Sequence, residues 1–205
     1  MIPAVVLIQP AVILPYIPPD DIEPTALVDW ELGGVGLSDP SQGLMYQPWQ
    51  LQVLGLTVNT AVYVSAPNTP LTLIFSYPNI TWARLAFDQN MRPVISFVAG
   101  GLPYYYWWDP FIPGNTTAAL PTTVIKPCVT MDDKRALSTQ TGTNDVVMCY
   151  INNGNICYRL QRDRYNVEYV WYTNIVNVLA NPIVNRIGMT TGLRLLIELQ
   201  GSLYQ

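Results

Sequence analysis

The feature that most limits what this chain can become is the lack of any long helical periodicity. From about residue 25 onward, β-branched and aromatic residues come in short runs separated by proline, glycine and asparagine, the pattern of strands joined by tight turns. Gln50–Leu56 alternates Leu51 and Val53 with Gln50 and Gln52, as a half-buried strand should. Thr60–Ser65 and Leu71–Tyr77 read as two strands around the turn Ala66-Pro67-Asn68-Thr69-Pro70, and Leu193–Leu199 as a closing strand. The single helical candidate, Asn174–Ala180, is short, β-branched and stopped by Pro182. The predicted fold class is all-β.

Within this β text lies a weak repeat. Leu85-Ala86-Phe87-Asp88 is followed by the apolar strand Val94–Val98, the turn Gly100-Gly101, and the aromatic strand Tyr104–Trp108 ending in Asp109. Val129-Thr130-Met131-Asp132 is followed by Val146–Ile151, the turn Asn153-Gly154, and Ile156–Arg162 ending in Asp163. The two units lie about fifty residues apart. Each reads as a short strand and then an antiparallel hairpin, which suits propeller-like blades or a β-sandwich, and four such units fit the length. Val146–Ile151 is apolar on both faces, so it should be a central strand, whereas its partner alternates Ile156, Tyr158 and Leu160 with Cys157, Arg159, Gln161 and Asp163.

Residues 1–24 read as a separate extended arm ahead of a single β domain at 25–205. Apolar runs alternate there with prolines at 3, 10, 15, 18, 19 and 24, which block helix and central-strand pairing. Such oily residues are costly in water, at about 25 cal/mol per Å², so the arm is expected to lie on its own body or on a neighbour.

Half of the residues are apolar and only 12% are charged, against about 25% in a typical soluble domain. Much of the surface is therefore expected to face other protein. A net charge of −4 gives no basic face for nucleic acid; the densest basic stretch, Arg159–Arg164, contains Asp163 and reads as a solvated strand face. Ala4–Leu14 is broken by Pro10 and closed by Pro15, too short for the roughly 20 residues of a membrane span. It has no basic segment before it and no cleavage site after it, so a cytoplasmic product is expected and the sequons at Asn79 and Asn115 read as chance matches.

Three cysteines do not make a disulfide framework. Across a three-residue turn Cys149 would face Cys157; across a two-residue turn it would face Tyr158, with the thiols on opposite sides. Free, buried thiols are expected.

The chain contains no histidine, which removes the commonest general base and metal ligand. No cofactor and no metal site are expected. Asp88, Asp109, Asp132, Asp133, Asp145 and Asp163 could supply a pair of carboxylates for glycoside cleavage, but they stand where turns begin, where aspartate caps the backbone. Gly33-Gly34-Val35-Gly36 lacks the lysine and spacing of a phosphate loop. The protein reads as a non-enzyme.

The run Tyr104-Tyr105-Tyr106-Trp107-Trp108 puts Tyr104, Tyr106 and Trp108 on one side of a strand and Tyr105 and Trp107 on the other. It reads as a central strand covered on both sides, a subunit contact, or a stacking platform for sugars.

Gly36-Leu37-Ser38-Asp39-Pro40-Ser41-Gln42-Gly43-Leu44 with Tyr46-Gln47-Pro48-Trp49 resembles the opening of structural proteins of tailed bacteriophages. Leu85–Asp88, Asn144–Val147, Tyr158–Tyr165, Arg186–Met189 and Leu193–Leu195 are similar to the same kind of protein, so the resemblance covers most of residues 33–199. It implies a virion component in or near the tail, at the tail tip or an adaptor, with a head or decoration protein as a lesser alternative. It carries over no catalytic residue. The expected partners are other virion proteins and further copies of this chain, through Ile2, Val5, Val6, Ile8, Ile13, Tyr105 and Trp107. The alternative reading is a receptor-binding module for host-surface glycan.

Overall fold

The computed structural model describes residues 5–8, 27–33, 47–55, 59–65, 70–88, 92–112, 114–131, 146–189 and 195–203. They form fifteen strands in four sheets and two short 3-10 turns, with no α-helix among them. In chain order, β1 (Val5–Ile8) is followed by three four-stranded antiparallel meanders. The first holds β2 (Leu27–Gly33), β3 (Gln47–Leu54), β4 (Thr60–Ser65) and β5 (Thr72–Tyr77). The second holds β6 (Ile80–Phe87), β7 (Pro93–Ala99), β8 (Leu102–Trp108) and β9 (Asn115–Ala119). The third holds β10 (Cys128–Met131), β11 (Val146–Asn152), β12 (Asn155–Leu160) and β13 (Tyr169–Tyr172). The fourth sheet pairs β14 (Leu179–Met189) with β15 (Leu195–Leu203), and β1 adds to β15 in parallel, Val5 opposite Leu196 and Ile8 opposite Leu199.

The weak sequence repeat corresponds to the second and third sheets, strand for strand. Both internal hairpins close on two residues with positive φ, Gly100-Gly101 (56° and 81°) and Asn153-Gly154 (48° and 77°). This turn matches the natural strand twist and favours Asn-Gly and Gly-Gly. The two-residue turn puts Cys149 opposite Tyr158 and Cys157 opposite Tyr150. Cys149 and Cys157 therefore point to opposite faces, and all three cysteines are free and buried.

Successive sheets pack face to face. Leu51, Val53, Val62 and Val64 of the first sheet meet Leu85, Ile95 and Phe97 of the second. Ala86, Val94, Tyr105 and Trp107, on the other side of the second sheet, meet Val146, Met148 and Tyr150 of the third. Cys149, Ile151 and Ile156 meet Leu179, Val184, Ile197 and Leu199 of the fourth. The second and third sheets are thus covered on both faces. That is why every residue of β11 is buried and β7 is buried from Val94 to Ala99. The first strands also pack in succession, β2 on β6, β6 on β10 and β10 on β14.

Three expectations change. Asn174–Ala180 is not a helix: Ile175–Asn177 is a single 3-10 turn, entered through left-handed Asn174, and β14 starts at Leu179. Here β-branched residues and a neighbouring sheet override a weak helical pattern. The faces of β12 alternate as expected, Ile156 and Tyr158 toward the fourth sheet and Cys157 toward the second, but neither face is wet near the turn: Ile156 and Cys157 are both buried because both faces are covered. The expected arm contributes Val5–Ile8 to the fourth sheet; its boundary at residue 24, with Ile2 and Ile13, lies outside the described residues.

Candidate functional site

The aromatic run forms β8, a central strand between β7 and β9. Tyr106 is buried in the core shared with the first sheet, where Phe75 stacks on it at 4.5 Å, and Tyr104 packs there beside Phe97. On the opposite side Tyr105 and Trp107, 5% and 2% exposed, each meet the ring of Tyr165 edge-on at 5.2 Å. The predicted subunit contact through Tyr105 and Trp107 is corrected: the third sheet covers them, and they have no surface to offer a neighbour. Trp108 is half-buried, under the guanidinium of Arg92 at 4.8 Å.

Two of the strand-end aspartates hold the turns that follow them. Asp88 Oδ1 accepts the Arg92 N–H at 2.8 Å, and Asp109 Oδ1 accepts the Phe111 N–H at 2.9 Å. Burial of Asp109 works to raise its pKa, but the Phe111 N–H and the guanidinium of Arg164, 2.5 Å from Oδ2, outweigh burial and hold it below the ordinary carboxylate value. Asp163 accepts the Tyr169 hydroxyl at 2.9 Å. Asp132, Asp133 and Asp145 lie outside the described residues.

Arg159–Arg164 is not a solvated strand face. Arg159 enters a polar network on the face of the third sheet that meets the second, donating from Nε to Tyr150 Oη at 2.7 Å and from Nη1 to the Tyr165 carbonyl at 2.8 Å. Tyr150 donates in turn to Glu168 Oε2 at 2.7 Å, Asn152 Nδ2 donates to both Glu168 oxygens, and Thr123 donates to Asn152 Oδ1. Burial first, and then the Glu168 carboxylate, push the Tyr150 phenol well above its ordinary pKa. The same two causes raise the Cys157 thiol to about 11. Cys149 is also raised, by burial and then by the adjacent Cys128, which stands directly opposite it on β10. Thiols and a phenol held protonated at neutral pH are poor nucleophiles and bases. The network ties β11 and β12 to Glu168, just ahead of β13, within the third sheet.

Among the described residues, no group of three His, Cys, Asp or Glu could hold a metal, and no helix is long and apolar enough to cross a membrane. A depression of about 230 Å³ beside the β14–β15 bulge is lined by Ala180, Asn181, Ile183, Gln200, Gly201 and Ser202, none of them ionisable.

Comparison with known protein families, with characterised proteins and with solved structures finds no match.

The periphery shows what the interior does not. Phe111, at the turn after β8, is 75% exposed, and Leu73, Val170 and Tyr172 on the outer strands β5 and β13 are about half exposed. The sequence reading passed over β13.

Proposed function

We propose that this protein is a non-enzymatic structural subunit of a tailed-bacteriophage particle, placed in or near the tail and acting by packing against neighbouring subunits. The observation that carries the reading is the set of large apolar side chains left on the outer strands and turns of a chain only 12% charged. A monomer seldom leaves such groups in water. Buried at a contact, each well-packed aromatic anchor contributes about 2 kcal/mol or more. The sequence resemblance supplies the particle. The expected contact residues Val5, Val6 and Ile8 belong to the strand that lies along β15. Burial of Trp107 weakens the glycan reading, because a sugar platform needs an open ring face.

The four sheets are proposed as blades around a common axis. In support, the first strands β2, β6, β10 and β14 pack in succession, and β1 returns from the start of the chain to the last sheet. Such a return is how a ring of sheets closes without leaving its ends apart.

Particles assembled with the intact chain, and with a chain lacking residues 1–24, test the assembly role by quantitative mass spectrometry. The intact chain is expected in purified particles, and the shortened chain should fold yet be depleted from them. Finding the intact chain only outside particles overturns the reading; equal incorporation of both removes the role of the segment.

A further inference from the structure

Two of the three cysteines meet across one sheet. Cys128 of β10 and Cys149 of β11 stand directly opposite each other on antiparallel strands. Opposed residues of such a pair point to the same face, and both lie in the core shared with the fourth sheet, 1% and 0% exposed. Cys157 is kept from them. It stands opposite Tyr150 and faces the core shared with the second sheet. Cys128 and Cys149 are both thiols in this structure, and the Cys128 S–H donates to the Val184 carbonyl, 3.4 Å from Sγ.

We propose that Cys128 and Cys149 form a disulfide site, which closes across β10 and β11 when a small-molecule disulfide oxidises the chain. The inference stands apart from the assembly reading, because it rests on strand register and burial alone.

The register supplies the geometry. Cα atoms of directly opposed residues in an antiparallel pair lie about 4.5 or about 5.5 Å apart, depending on whether the pair is hydrogen-bonded. A disulfide accepts Cα separations of about 4.4–6.8 Å. The backbone is thus already spaced for the bond, and side-chain rotation brings the sulfurs together. The S–H bond to Val184 is given up, and a thiol is a weak donor. Closing residues 129–148 into a loop restricts the unfolded chain and so favours the folded one.

The exchange takes two steps. One cysteine thiolate attacks the oxidised reagent and expels a thiolate, leaving a mixed disulfide. The other attacks the protein sulfur of that mixed disulfide and expels the second thiolate. One S–S bond of the reagent becomes one S–S bond of the protein, and the two cysteine protons pass to the released thiols. Burial first, and then the neighbouring Cys128, lift the Cys149 thiol well above its ordinary pKa, which slows attack in the folded chain because the thiolate is the nucleophile. The same burial shields the finished bond from reductants. The site is therefore filled while the chain folds under oxidising conditions and is kept afterwards.

Refolding the full chain from urea in oxidised and reduced glutathione at about pH 8.5, where an unfolded thiol is half ionised, tests this. Alkylation in denaturant and peptide mass mapping should find a Cys128–Cys149 bond and one free thiol, Cys157. Cys157→Ser should form the same bond, whereas Cys128→Ser and Cys149→Ser should keep both remaining thiols. Urea titration should give the bonded chain a folding equilibrium constant about tenfold or more above that of the reduced chain. If refolding does not restore the circular dichroism spectrum, the folded chain held in the same buffer just below its urea transition takes its place. Three alkylatable thiols in the folded product, a bond that includes Cys157, mixed glutathione disulfides alone, or a bonded chain no more stable than the reduced one would each overturn the proposal. Recovery in particles decides the assembly reading separately.

Discussion

Tyr150 shows how one buried hydroxyl ties the strands of a single sheet together. It donates to Glu168 and accepts from Arg159, both at 2.7 Å, on a face otherwise filled by Met148, Val146 and Trp107. Hydrogen bonds to charged groups are worth about 1.5–3 kcal/mol, so Tyr150→Phe should lower the unfolding free energy by about that amount at pH 7. The pH dependence has a definite sign. The folded pKa lies above that of an unfolded tyrosine, near 10. The stabilisation is therefore complete below about pH 10 and drains away above it, as the unfolded chain ionises first. Urea unfolding at pH 7 and pH 10.5 should show the parent protein losing more stability between the two than Tyr150→Phe; equal losses would mean that the phenol is not held protonated.

At the scale of elements, β8 carries the most weight. It presents Tyr106 to one core and Tyr105 and Trp107 to the next, so it joins the first sheet to the third through the second. Trp107→Ala removes a 2% exposed ring that Tyr165 contacts edge-on and should cost about 3–5 kcal/mol. Chemical unfolding measures this directly. A substitution that weakens partner or sugar binding while leaving stability intact would return Trp107 to the surface role first expected of it. The Arg164–Asp109 ion pair and this aromatic contact both link the second sheet to the third, so the two are expected to unfold together.

Over the whole molecule, the fourth sheet differs from the others. It has two strands from the end of the described chain and one, β1, from its beginning, and β1 joins β15 in parallel with no turn to fix its register. Removing residues 1–8 strips β15 of that partner. Amide exchange should then accelerate in Leu196–Leu199 by at least tenfold while β7 and β11 keep their protection. If protection falls everywhere, β1 closes the whole fold; if nothing changes, it contributes no closure.

The sequence by itself determined the all-β class, the hairpins and the equivalence of the second and third sheets. Turn chemistry and side-chain alternation are local, and they are written within a few residues of Gly100-Gly101 and Asn153-Gly154. Thr60–Ser65 was legible to the residue for the same reason. The facing of one sheet on another was not legible, because it joins residues far apart in the chain. Only the tertiary structure decided that Tyr105 and Trp107 point inward, that Arg159 ties Tyr150 to Glu168, and that β13 is left at an edge. An apolar strand reads alike whether a neighbouring sheet, a second molecule or water lies against it, and the stacking of the four sheets makes that choice.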